Sequence, residues 1–315
     1  LHDALPICTM VGLRFYNMDM VQYTKKAITI LDQIQNLEDK GLKFFDVELA
    51  KDYMLSVGYF RLDSYFHTFM DSGTEQFIPN TTFETIIYHY RFDCELRSLI
   101  FAAIQDIEIA IRTRVVYFFS LANGPFWYAE RKNFKDRIIF FNNLSLIIKE
   151  VNRSKEDFIL DHFEKYDFPN LPPAWKALET VTIGSLASLY KECTDVISKK
   201  NVARSFNIPK YIYLESWLES MRILRNACAH HARLWNKRIQ IPSIPDYLPL
   251  SWIRNKSSRP EKIYSHLCYI AYIQQTLRVA SPLKKQLKDL LNRYPAICTY
   301  SMGFTPNWEQ EALWL

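Results

Sequence analysis

Apolar residues recur along this chain at the three-and-four spacing of helices rather than the alternation of strands. Between residues 21 and 40, Ala27, Ile30, Leu31, Ile34 and Leu37 fall on one face, and Gly41 supplies a stop. A second helix is predicted after Asp46, through Leu49, Tyr53, Val57 and Phe60, interrupted near Gly58 and ended before the turn Asp71-Ser72-Gly73. The longest pattern runs from about 82 to 122, with Ile86, Tyr90, Leu96, Ile100, Ala103, Ile104, Ile107, Ile111, Val115 and Phe118 as its stripe. At about 1.5 Å per residue such a helix is ~55 to 60 Å long, enough to be the spine of the fold. Asn123-Gly124-Pro125 ends it. Further helices are predicted over 134–152, 155–166, 174–190, 195–206, 210 to about 234, 260–280 and 282–293.

The expected architecture is an all-α bundle, with an N-terminal helical subregion at 10–80, a helical body at 81–293 and an irregular C-terminal strap at 294–315 packed on the surface. Composition agrees: 21 Phe, 19 Tyr and 7 Trp supply a large core, while only 7 Gly disfavour turn-rich sheets and Gly-rich phosphate loops. No run reaches the roughly 18 apolar residues of a membrane span; the nearest, 115–129, is broken by Asn123-Gly124-Pro125. Six scattered cysteines without a CxxC pair read as reduced cytosolic thiols. No signal peptide is evident. Residues 1–9 begin Leu1-His2-Asp3-Ala4-Leu5-Pro6-Ile7, which reads like a translated sequencing adapter; they are set aside, with Met10, Met18 and Met20 as candidate starts.

The formal charge of +5 is mild, but its distribution is not. Between Glu219 and Asp246 there is no acid, whereas Arg222, Arg225, Arg233, Lys237 and Arg238 all lie there, a pattern that suits an anion-facing surface. The same stretch reads Arg225-Asn226-Ala227-Cys228-Ala229-His230-His231. Leu218, Met221, Leu224 and Cys228 form a buried edge, and Arg222, Asn226 and His230 stack at i, i+4, i+8 on the other side. These types suit phosphodiester cleavage: Arg offers a planar fork for phosphate oxygens, and histidine gives or takes a proton near neutral pH. Arg225, however, lies roughly 140° around a regular helix from His230 and roughly 120° the other way from His231. Either the helix is distorted here or the site is composite, a symmetry-related copy being one natural source.

The run R-N-x-C-A-H-H followed by R-L-W-N strongly resembles the signature of AbiD/AbiF-like abortive-infection proteins, within the HEPN superfamily. Gly58-Tyr59-Phe60-Arg61-Leu62, Tyr90-Arg91-Phe92-Asp93 with Leu96-Arg97, Asp106 to Arg112, Gly124 to Tyr128, Trp175 to Glu179 and Met302-Gly303-Phe304 with Trp308 resemble further blocks in order. The resemblance implies a HEPN-type helical fold, often dimeric, cutting single-stranded RNA without metal or other cofactor. The RNA 2′-hydroxyl attacks its own phosphate to leave a 2′,3′-cyclic phosphate. Carried over, Arg225 contacts the scissile phosphate, His230 is the general acid or base with His231 able to substitute, and Asn226 holds the polar position after the Arg. Arg222 is supporting, Arg233, Lys237 and Arg238 bind RNA, and an associated small non-coding RNA is a further candidate partner.

Glu108 admits two readings: a helical ion pair with Arg112, or an acid that positions Arg225 or the histidine. Tyr59 and Arg61 admit contact with RNA or anchoring of the N-terminal region, and anchoring is the favoured reading. A zinc site at Cys228, His230 and His231 is a poor reading, because i, i+2 and i+3 ligands diverge around a helix and no second pair exists. A serine hydrolase lacks its nucleophile elbow. The alternative from another class is a non-catalytic module that binds RNA or a protein through the basic patch.

Overall fold

The computed structural model describes residue 24 and residues 26–245, 252–277 and 283–315. The adapter-like start, the candidate methionines and the beginning of the first expected helix lie outside the described residues, as does the end of the helix expected at 260–280. Among the described residues the chain is helical and contains no strand, only isolated bridges. The all-α expectation holds.

The first three helices are α1 (Ile30–Asp39), α2 (Val47–Ser56) and α3 (Tyr59–Phe66). Thr29 closes the front of α1 with a capping box to Asp32, and the Asp46 side chain accepts from the Leu49 N–H at the start of α2. Gly58 separates α2 from α3 with φ +88°, a backbone state that L side chains rarely adopt, and so makes the interruption read from the sequence. The spine is α4 (Phe83–Asn123), 41 residues and about 60 Å, capped by Thr82 and ended at Gly124. Its apolar stripe is fully buried from Phe92 through Leu96, Ile100, Ile104, Ile107 and Ile111 to Val115.

The remaining helices are α5 (Arg137–Arg153), α6 (Asp157–Lys165), α7 (Ala174–Ala177), α8 (Ile183–Glu192), α9 (Val196–Ser205), α10 (Tyr211–Ala229), α11 (Ile263–Gln274) and α12 (Leu283–Arg293). Helices α9, α10, α11 and α12 all pack on α4, and α8 joins α10 to α5. The N-terminal helices reach the same core, with Phe44 stacked on Phe83 and Tyr53 edge-on to it.

Three expectations need correction. The single helix at 174–190 is two: α7 stops after one turn, and Thr182 caps α8 by accepting from the Ser185 N–H. Leu178 and Val181 carry the apolar pattern across the break because both are buried in the connecting turn. The C-terminal strap is not a surface ornament. Met302, Leu313 and Trp314 are fully buried, Trp314 lies over Tyr264 at 6.1 Å, and the Glu311 carboxylate accepts from the N–H groups of Arg254 and Asn255. At Gly303, φ is +87° and a Cβ would stand 2.8 Å from the Arg259 carbonyl, so only glycine fits. The third correction, the early end of α10, shapes the site.

Candidate active site

Helix α10 buries Leu214, Trp217, Leu218, Met221, Leu224 and Cys228 at helical spacing against α4 and α8. Beside that edge, the Arg225 guanidinium lies over the Phe101 ring of α4, 5.9 Å from its centroid. The sequence pattern carries the helix on to about 234, but it stops at Ala229. The His231 N–H donates to the Cys228 carbonyl at 3.0 Å, and the Ala232 N–H reaches back to the Ala227 carbonyl at 2.8 Å. That pair of bonds is a Schellman motif. Its left-handed position, usually glycine, is His231 at φ +56°, a conformation that costs an L residue about 1–2 kcal/mol.

The turn changes where the histidines go. On a regular helix His231 would diverge from Arg225; here it lines the same hollow as Phe101, over which Arg225 lies, although Arg225 itself lines neither this hollow nor the one beside it. This hollow, about 670 Å³, is also lined by Arg61, Tyr90, Cys94 and Arg97. A second hollow of about 440 Å³ adjoins it, lined by Phe60, Arg61, His230, His231, Arg233 and Lys237. Arg61 and His231 belong to both, and the Arg61 guanidinium donates to the His231 carbonyl at 2.9 Å. Among the described residues no carboxylate lines either hollow. The field over the paired depressions therefore favours an anion.

A buried carboxylate holds the segment in place. Asp93 of α4 is fully buried and accepts from the Tyr65 hydroxyl at 2.6 Å, Arg97 at 2.6 Å, the Leu234 N–H at 3.0 Å and the Trp235 N–H at 2.7 Å. Burial pushes its carboxyl up, while Arg97, the Tyr65 hydroxyl and the two N–H groups pull it down. With four donors converging on it, the group is built to accept as a carboxylate. Leu234 and Trp235 are themselves buried, Trp235 stacking on Phe69 at 5.8 Å. Asn236 adopts a left-handed turn, and its carbonyl and side-chain oxygen both accept from the Lys262 ammonium. The Arg-Leu-Trp-Asn run thus clamps the far side of the histidine turn.

The other residues singled out from the sequence lie as follows. Arg222 pairs with Glu219 and lines a separate groove with Gly184, Lys191 and Glu215. Asn226 lines neither hollow; its main-chain carbonyl accepts from the His230 N–H. The expected stack of Arg222, Asn226 and His230 is therefore not a shared site. Glu108 pairs with Arg112 at 2.9 Å, which also reaches Glu179 and the Val181 carbonyl, and it lines neither hollow. The helical ion pair is the arrangement observed, and the acid serving the histidine segment is Asp93. Arg233 and Lys237 line the second hollow; exposed Arg238 lines neither. Burial raises the Cys228 thiol to about 12, making it a core residue rather than a nucleophile. Among the described residues no three His, Cys, Asp or Glu side chains gather as a metal-ligand set.

Arg61, Tyr65, Asp93 and Arg97 are the contributors that spacing within α10 could not reveal. They come from α3 and from a point on α4 some 140 residues earlier. The signal for Arg61, Asp93 and Arg97 was the set of ordered Tyr-Arg-Leu and Phe-Asp…Leu-Arg blocks, not any local periodicity, and Tyr65 lay outside both blocks.

A family model described as Abi-like protein matches residues 52–236. The chain belongs to the Abi-like protein family. The matched span covers more than half of the sequence and contains every residue lining the two hollows except Lys237. Membership in this Abi-like family connects the protein with abortive infection, a form of phage defence. No curated protein and no solved structure matches the chain significantly. Among the described residues no helix is long and apolar enough to cross a membrane.

Proposed function

We propose that this Abi-like protein is a metal-independent, HEPN-type endoribonuclease that cuts single-stranded RNA. The observation that carries the reading is the turn after Ala229, which takes His231 into the hollow lined by Phe101, the ring under Arg225, and leaves His230 opening on the adjoining one, with no carboxylate lining either among the described residues. A phosphate seated at the ridge between the hollows meets Arg61 as a fixed cation, with Arg225, over the Phe101 ring, as the second one that the family resemblance implies. One histidine takes the proton of the RNA 2′-hydroxyl as that oxygen attacks phosphorus. The other donates a proton to the departing 5′-oxygen, so the P–O5′ bond breaks and the products are a 2′,3′-cyclic phosphate and a 5′-hydroxyl. Two adjacent histidines flanking one ridge suit this division of labour better than one histidine acting twice.

The turn after Ala229 puts His231 and Phe101, the ring under Arg225, on one hollow, which supports a site built within one chain. A homodimer, and a small non-coding RNA as partner, stay in the proposal on the family resemblance alone. The test is incubation of the purified chain with mixed single-stranded RNA in EDTA, with product ends identified. Cyclic-phosphate ends from the wild type, lost in His230→Ala and in His231→Ala with RNA binding retained, are the expected result. RNA that is shifted in a gel but left intact identifies a binding module instead. Cleavage surviving both substitutions overturns the assignment of the histidines.

A further inference from the structure

Helix α3 sorts its residues by face. Leu62, Tyr65 and Phe66 are buried, and Tyr59 packs edge-on against Phe66 at 5.6 Å. Phe60, Arg61 and Ser64 occupy the other face, and all three line the second hollow. Phe60 is 92% exposed, more than any other large apolar side chain among the described residues. A lone exposed apolar residue is commonplace. The surroundings of this one are not: its neighbours around the hollow include Arg61, His230, Arg233 and Lys237, and among the described residues no acid. The Arg233 Nε and Nη1 are buried without a hydrogen-bond partner among the described residues. A guanidinium left in that state calls for an anion or water to occupy its vicinity.

We propose that the second hollow is a nucleotide subsite in which Phe60 stacks an unpaired base while Arg233 and Lys237 take the adjoining phosphate. The inference rests on the RNA reading given above and specifies how the strand is held. An aromatic face beside a positively charged groove is the arrangement that binds single strands regardless of sequence, because every base offers a π face. In a duplex those faces are already stacked, so the subsite selects unpaired RNA. An apolar protein partner suits the hollow less well, since covering Phe60 would also bury Arg61, Arg233 and Lys237, which face no acid there among the described residues. Phe60 lines the same hollow as His230, so a base seated on it brings its own ribose and phosphate towards the histidine turn.

Binding of a fluorescein-labelled, 2′-O-methylated single-stranded RNA by the full chain tests this, since that probe cannot undergo 2′-hydroxyl attack. Phe60→Ala is expected to weaken binding roughly 5- to 150-fold, the range for loss of one stacked base. Phe60→Trp is expected to stay within about twofold of wild type, with indole fluorescence quenched on binding. The salt dependence should be unchanged in Phe60→Ala and shallower in Lys237→Ala, which removes a phosphate contact. Wild-type binding with Phe60→Ala equally tight overturns the subsite while leaving the nuclease reading intact. Absence of any RNA binding by wild type overturns both. Loss of binding that tracks dissociation of an oligomer in Phe60→Ala shows that Phe60 faces a second copy, and also overturns the subsite.

Discussion

Glycine in place of His231 is expected to give a protein that is slightly more stable and no longer cuts RNA. His231 sits at φ +56°, where the Cβ of an L residue crowds the following carbonyl at a cost of about 1–2 kcal/mol. Glycine removes that cost but restores freedom to the unfolded chain, worth roughly 0.5–1 kcal/mol in the other direction. The Schellman bonds at 3.0 and 2.8 Å, and the Arg61 contact to the His231 carbonyl, involve only the residue 231 backbone or its neighbours and survive the change. Little packing is lost, because the side chain is exposed. The net expectation is a gain of about 0.5–1 kcal/mol, or a rise in Tm of roughly 1–4 °C for a chain of this size.

Thermal melts followed by far-ultraviolet circular dichroism read the first quantity, and RNA cleavage in EDTA reads the second. His231→Asn is the companion variant, since Asn tolerates the left-handed region better than most residues and should melt close to wild type while also failing to cut. A His231→Gly protein that melts several degrees lower would refute the turn as the source of the strain. One that melts higher and cleaves at the wild-type rate would remove His231 from the chemistry.

Asp93→Asn leaves Arg97 as a buried cation without its counter-charge and gives the Leu234 and Trp235 N–H groups a poorer acceptor. Loss of one partner of such a pair costs about 3–5 kcal/mol, visible as a lower urea midpoint. The double variant Asp93→Asn with Arg97→Met should be less destabilised than the sum of the single changes, and strict additivity would sink the account of the pair. His266 is fully buried, and burial lowers its pKa to about 4. Its native state stays neutral while the unfolded chain protonates near pH 6.5, so its contribution is fully present above that pH and fades as pH falls towards 4. Between pH 7 and 5 the loss is about 2 kcal/mol, with His89 and His162 shifted in the same direction by burial. His266→Gln should flatten that dependence of the urea midpoint, and an unchanged slope would show that other groups dominate.

What the sequence disclosed and what it hid follow from the same physics. The spine was legible to within a residue at either end because its period runs unbroken for eleven turns between a Thr cap and a Gly-Pro stop. The break inside 174–190 was hidden because Leu178 and Val181 are buried in a turn and mimic helical spacing, although Thr182 three residues before Ser185 was an available cap signal. Asp93 sat within the apolar stripe of α4, four positions before Arg97, where the spacing reads as an ordinary solvated pair. Only the tertiary return of residues 234 and 235 makes it the anchor of the site. The end of α10 was the least legible feature, because no glycine marks it and Leu234 continues the apolar period. A helix that stops on a histidine where glycine is the usual choice breaks a local rule at a local cost. Such violations are expected where a side chain is needed more than the conformation it strains. The misread helix end and the candidate catalytic residue are for that reason the same position, His231.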